Sequence, residues 1–376
     1  MKETISIHDL IKALMDTEHP FPTKWLYHFS DLEPKDQQVL EAAWMSIPIR
    51  RRQTLLQDLV SFAEQDPVLM YEKVARVALE DSDPEVQCLA VDLLFEAEDK
   101  KLIPVFLKIL RDPERDESVR AAVANALGPF VCLGEYGKLH PTVLKEIEDS
   151  LLDAFQNEKS NLIRRRALES LGYSSREEVP QLLRKAAVID DEQWLESALF
   201  AMGRSADEEW ADTVLDNLDH ENIAVRIQAV HAAGELMLKN ARSYLLKSFE
   251  EISDETLFQE TVWALAKIGG DGVERKLNAL LESSQDEDEA AFLEDALELL
   301  NFTEGESPMG LFSVNEDMGD LLSDDFYTEL IAEGDEEDFL SRDEFDEEWM
   351  RYVSDDDEGD DSDEFTYGDF EKDRFG

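Results

Sequence analysis

Apolar residues in this chain recur every three or four positions, and that recurrence is itself repeated. Val-Gln-Cys-Leu-Ala at 86–90, Val-Arg-Ala-Ala-Val at 119–123, Ile-Arg-Arg-Arg-Ala at 163–167 and Val-Arg-Ile-Gln-Ala at 225–229 are variants of one pattern. Indexed on the first apolar residue, the row reads Val86, Val119, Ile163, Trp194, Val225 and Phe292, with Glu260 breaking it. Four places on stand Ala90, Val123, Ala167, Ala198, Ala229, Ala264 and Ala296; eight on stand Leu94, Leu127, Leu171, Met202, Ala233, Ile268 and Leu300. This spacing is that of one face of a helix, not of a strand. The recurring alanine predicts a point where neighbouring helices come close. Nine on, Gly128, Gly172, Gly203, Gly234 and Gly269 predict the helix end, glycine being free to enter the left-handed region.

Each of these helices follows an acidic turn such as Asp81-Ser82-Asp83-Pro84 or Asp219-His220-Glu221-Asn222, rich in N-cap residues. Upstream of each turn a further apolar segment predicts a first helix, at 68–79, 102–110, 141–156, 178–188, 209–218, 241–252 and 272–282. Seven helix–turn–helix units therefore run over 67–301, with index spacings of 33, 44, 31, 31, 35 and 32 residues. A repeat of this length predicts an all-α fold, a right-handed α-solenoid of stacked helix pairs. The long step contains Gly134, Tyr136, Gly137 and Pro141, and predicts an inserted loop. Trp194 and Trp263 fall in the predicted core, whereas Trp210 opens a first helix and is expected to be partly exposed.

Residues 1–66 do not carry the repeat. Ile7, Leu10, Ile11 and Leu14 predict one helix, Pro34 opens a second carrying Val39, Leu40 and Trp44, and a third follows Pro48. They form an N-terminal helical cap, since terminal units must close the core. Over 302–376 the repeat stops and composition shifts to Gly, Ser, Asp and Glu. Such a segment is expected to be a disordered acidic tail, punctuated by aromatics of which Phe345, Trp349 and Tyr352 are candidate partner contacts.

The pattern Asp-x-x-Pro/Ser-x-Val-Arg-x-x-Ala, closed by Leu-Gly, is clearest at 116–128, 158–172 and 219–234. It resembles the HEAT-like repeat named after phycobilisome lyases. The resemblance implies the solenoid fold and says little of function, since similar repeats occur in lyases, hydroxylases, glycosylases and plain scaffolds. In similar repeats the arginine after the index residue, here Arg120, Arg164 and Arg226, pairs with an acidic turn residue of the neighbouring unit.

Charge narrows the function. Acids outnumber bases 89 to 36, a net charge of −53. The segment 302–376 holds 29 acids against 4 bases, so body and tail are both acidic. A field this negative repels phosphate backbones and anionic membranes, which excludes nucleic acid and peripheral membrane partners. Two cysteines, Cys88 and Cys132, imply no disulfide framework, and a reducing, cytoplasmic setting is expected. No histidine stands in a metal-ligand motif, and no phosphate loop or nucleophile elbow is present, so no catalytic residue, metal or cofactor is assigned. The basic clusters Arg50-Arg51-Arg52 and Arg164-Arg165-Arg166 are candidates for docking the acidic tail within the molecule.

The expectation is a non-enzymatic scaffold that binds a protein or peptide on the concave solenoid face. A lyase-like or other modifying enzyme on the same scaffold, and an acidic chaperone-like binder of basic proteins, are the alternatives.

Overall fold

The computed structural model describes residues 5–303 apart from 31, 67, 96, 98, 250 and 251. Among the described residues there are eighteen α-helices and no strand. The fold is an all-α solenoid of stacked helix pairs behind a helical cap.

The cap comprises α1 (Ile7–Met15), the 3-10 helix Thr23–Phe29, α2 (Pro34–Trp44) and α3 (Ile49–Gln65). Its core is built from Leu10, Leu14, Leu26, Phe29, Leu40, Trp44 and Leu56, each at most 2% exposed. The 3-10 helix has no counterpart in the periodicity. It occupies the stretch that follows the His19-Pro20-Phe21-Pro22 break. A buried polar knot joins cap to array. Asp81 accepts from the Trp44 indole N–H at 2.7 Å and is ion-paired with Arg52, and all three residues are buried.

The first helices are α4 (Glu72–Leu79), α6 (Leu102–Arg111), α9 (Pro141–Asn157), α11 (Val179–Ala187), α13 (Ala211–Asp216), α15 (Arg242–Ser248) and α17 (Val273–Ser283). The second helices are α5 (Pro84–Leu93), α7 (Glu117–Ala126), α10 (Asn161–Leu171), α12 (Glu192–Arg204), α14 (Ile223–Glu235), α16 (Glu255–Ile268) and α18 (Glu287–Thr303). Neighbouring second helices make the most extensive contacts in the array. From unit 4 on, the first helices pack mainly on second helices.

Four expectations are corrected. The inserted stretch is a loop only over 136–140; ahead of it runs a helix, α8 (Gly128–Glu135), whose Gly134 sits where a side chain would strike Leu144 of α9. Trp210 is not partly exposed but 3% exposed, with Arg184 stacked over its ring. The register of the last two units shifts by three. In units 1 to 5 the index residue stands three after the N-cap (Asp83, Asp116, Ser160, Asp191, Asn222). In α16 the cap is Asp254, whose side chain accepts from the Leu257 N–H, so the index residue there is Leu257, which is buried. Thr261, fully buried, then holds the place of Ala229, and Ala264 belongs with Ala201 and Ala232. Asp286 caps α18 in the same way, moving its index to Glu289 and Ala296 into the same row as Ala264.

The glycines are the fourth correction. Gly203 and Gly234 lie inside helices, Gly172 is right-handed at φ −54°, and Gly128 opens α8. Their role is close approach. A Cβ on Gly172 would lie 2.6 Å from the Ala201 carbonyl oxygen, one on Gly203 3.0 Å from the Ala232 Cα, and one on Gly234 2.7 Å from the Ala264 Cα. The left-handed turn comes three residues later, at Ala206 (φ 52°) and Met237 (φ 47°), with Gly269 (φ 59°) holding that place in α16.

Candidate functional site

Within the second helices of units 1 to 6, positions 0, 4 and 8 from the index are buried. Positions 3, 6 and 10 are centred about 130° further round the helix by the 3.6-residue period. In units 3 to 6 this free face carries Arg166, Glu169 and Tyr173; Ser197, Phe200 and Arg204; Gln228, His231 and Glu235; and Glu260, Trp263 and Lys267. In α18 it carries Phe292 and Asp295.

These side chains join one unit to the next. The buried Glu169 carboxylate accepts from the Ser197 hydroxyl at 2.6 Å and from Arg166 at 2.6 Å. Arg204 lies over the Tyr173 and Phe200 rings, 4.8 and 4.1 Å from their centroids, and donates to the Glu169 carbonyl at 3.1 Å. Burial of that guanidinium disfavours its charge and lowers its pKa. His231 stacks on Phe200 with centroids 5.2 Å apart and meets Glu260 at 3.2 Å; Lys267 bonds Glu235 at 2.5 Å. Trp263 and Phe292 meet edge to face. The result is a continuous, half-exposed stripe of rings and paired charges across five helices. Its polar positions vary from unit to unit, so the repeat pattern gave no signal for it.

The repeat arginines meet the expectation at Arg120, and Arg120 and Arg164 share a further contact. Arg120 is ion-paired with Glu158 of the next unit's turn, but its Nε also donates to the Leu110 carbonyl at the end of its own first helix (2.9 Å). Arg164 repeats the carbonyl contact, on Phe155 (2.8 Å), without an ion pair among the described residues. Among the described residues Arg226 makes neither; its Nε is buried without a hydrogen bond, and the Leu218 carbonyl accepts from Tyr244 instead. Arg120 and Arg164 thus hold the end of the first helix, which Gln87 also does on Leu79 in unit 1. Ala90, Ala167, Ala198 and Ala229 are fully buried between helices.

Several arginines of the two basic clusters are engaged within the described residues, while Arg50 is exposed; the acidic segment they were expected to dock lies outside the described residues from 304 on. Arg52 is spent on Asp81, Arg51 binds the Asp16 carbonyl (2.6 Å), Arg165 the Gln193 carbonyl (3.3 Å), and Arg166 binds Glu169. Phe345, Trp349 and Tyr352 lie outside the described residues. Cys88 and Cys132 are free thiols, and burial raises the pKa of both. An open cleft of about 590 Å³ beside α11 is lined by Gln156, Arg176, Glu178 and Lys185, with Arg176 already bound by Asp149 and Glu178. Among the described residues, no helix is long and apolar enough to cross a membrane.

Stacked helix pairs, joined through their second helices by a small-residue contact at each junction from unit 2 to unit 6, define a helical-repeat array. Residues 71–138 match the family model of HEAT repeats, so that stretch of the chain is HEAT-repeat sequence. Among curated proteins, none matches in sequence. Similar solved structures include YibA of Escherichia coli (16% identity, 76% of this chain and 99% of that one, TM-score 0.37). The complex of CpcE and CpcF of phycocyanin lyase from Nostoc is also similar (18%, 61% and 94%, 0.40). So is human deoxyhypusine hydroxylase (17%, 70% and 95%, 0.32). These likenesses concern the fold and bear on neither activity nor partner.

Proposed function

We propose that this protein is a non-enzymatic scaffold that binds a protein or peptide along the free face of its second helices. One observation carries the reading: the stripe from Tyr173 through Phe200 and His231 to Trp263 and Phe292 stays half-exposed although it is lined with rings. Interface cores are enriched in aromatic residues and arginine and depleted in unpaired charge. From α10 to α16 the stripe carries the ion pairs Arg166–Glu169 and Lys267–Glu235, and Glu260 is bound by His231. Along that part a partner covers apolar ring surface without stranding a paired ion, which is how a small patch contributes most of a binding energy.

The test is site-specific photocrosslinking in the cells of origin. A photoreactive residue at Phe200 is expected to give a discrete protein adduct, and one at the outward-facing Lys108 none. Equal adducts from both positions refute the reading. Adducts that vanish when 302–376 are removed move the partner to the acidic segment and favour the chaperone-like alternative.

A further inference from the structure

The aromatic clusters of the array between Phe155 and Phe258 each carry a cation of this chain over a ring. Arg164 lies over Phe155 and Trp194, Arg204 over Tyr173 and Phe200, Arg184 over Trp210, and Lys276 over Phe249. The Trp263–Phe292 pair differs. Its centroids are 5.5 Å apart with planes at 90°, and both residues are half-buried on the free face. Among the described residues no lysine or arginine lies over either ring.

Carboxylates flank the pair instead. Glu260 stands three before Trp263 on α16, and Glu289 and Asp295 stand three to either side of Phe292 on α18, a spacing that sets them on the same side as the rings. Among the described residues Glu260 meets His231, at 3.2 Å, and no lysine or arginine. The Glu289 and Asp295 side chains are exposed and bond to no described residue. From Glu287 to Thr303, α18 holds six acids and no base.

We propose that this ring pair is the seat for one cationic side chain, lysine or arginine, carried by a basic peptide segment of the partner. Ring faces attract a cation through their quadrupole, most strongly for tryptophan. The neighbouring carboxylates compensate its charge without the chain having to bury an ion of its own. The net charge of −53 raises the encounter rate of a basic partner at low salt. The seat lies on the free face and so rests on that face being the binding surface.

The probe is a short fluorescein-labelled peptide of glycine and serine carrying arginine, with lysine and citrulline versions, titrated into the full-length protein by anisotropy. The arginine and lysine peptides are expected to bind, and the citrulline peptide, neutral but isosteric with arginine, at least about tenfold more weakly. Trp263→Leu and Phe292→Leu, which keep apolar bulk and remove the ring, are each expected to weaken the arginine peptide about tenfold. The double variant Glu260→Gln with Asp295→Asn disturbs no buried ring and is expected to weaken it as well. Equal binding of the citrulline peptide overturns the proposal. So does binding that both ring variants leave intact, which reduces the effect to diffuse attraction by an acidic surface. Loss of peptide binding in the ring variants together with an absence of adducts at Phe200 refutes the wider binding face and leaves the seat standing. Adducts at Phe200 with indifferent ring variants do the reverse.

Discussion

Replacing Gly172 by alanine puts one methyl group between two helix backbones. Gly172 is right-handed helical, so on propensity alone Gly172→Ala gains about 1 kcal/mol. The new Cβ would lie 2.6 Å from the Ala201 carbonyl oxygen and 2.8 Å from the Ala201 Cα. Non-bonded carbon atoms settle near ~3.5–4 Å, so α10 and α12 must separate by about 1 Å at their closest point. The obstructing atoms are backbone and cannot rotate away. Overpacking of this kind costs about 1–3 kcal/mol and occasionally more. The contact also recurs in neighbouring units, which resist the displacement. The expected net effect is a loss of about 1–2 kcal/mol in urea denaturation of the full chain. Faster amide exchange in α10 and α12 would place the loss at this joint. Gly234→Ala (2.7 Å, backbone Cα) should cost nearly as much, and Gly128→Ala, which meets the Ser170 hydroxyl at 3.0 Å, the least. A neutral or stabilising Gly172→Ala would refute the close-approach argument and leave only the propensity gain.

Three further outcomes follow from buried or strained positions. Asp81→Ala leaves Arg52 buried without its counter-ion and should cost about 3–5 kcal/mol, with exchange protection lost first where α3 meets α5. Met237→Gly should stabilise by up to about 1 kcal/mol, because Met237 is left-handed and largely exposed, so strain is relieved with little packing lost. Burial pushes the Glu148 carboxyl above the usual carboxylate range, despite a hydrogen bond from Ser174. The folded state then holds that proton more tightly than the unfolded one, so this group's contribution to stability falls as pH rises from the ordinary glutamate value through the raised one. Glu148→Gln should accordingly gain stability over wild type at neutral pH and none below the ordinary glutamate range, read as the difference between two pH–stability profiles.

The helices of the array were legible because burial of one face per helix imposes a 3.6-residue period that few substitutions hide. The register slip at Glu260 shows the limit of that signal. Positions 4 and 7 both take small residues, so alanine alone does not tell them apart; the cap Asp254, three before Leu257, would have done so. The glycines were legible as small but not for their reason, since one residue type serves both a left-handed turn and a tight crossing. The α8 segment looked like a loop because Gly134 and Gly137 sit four residues around its end, whereas Gly134 is held inside the helix by Leu144. The partners of Arg120, Arg164 and Arg226 depend on which carbonyl the neighbouring turn presents, which spacing does not encode. The free face was illegible for a related reason: it is defined by what it does not bury.

The last described helix, α18, sets a length limit on the described array. At the place where Gly203 and Gly234 admit the next unit's alanine, α18 carries the exposed Glu298, with Glu294 and Asp295 beside it. A duplicated unit inserted between units 4 and 6 would find a glycine on one side and an alanine on the other. The same unit appended after Thr303 would meet carboxylates with no base opposite. Growth of this protein by internal copying is therefore open, while growth by addition at that end is closed.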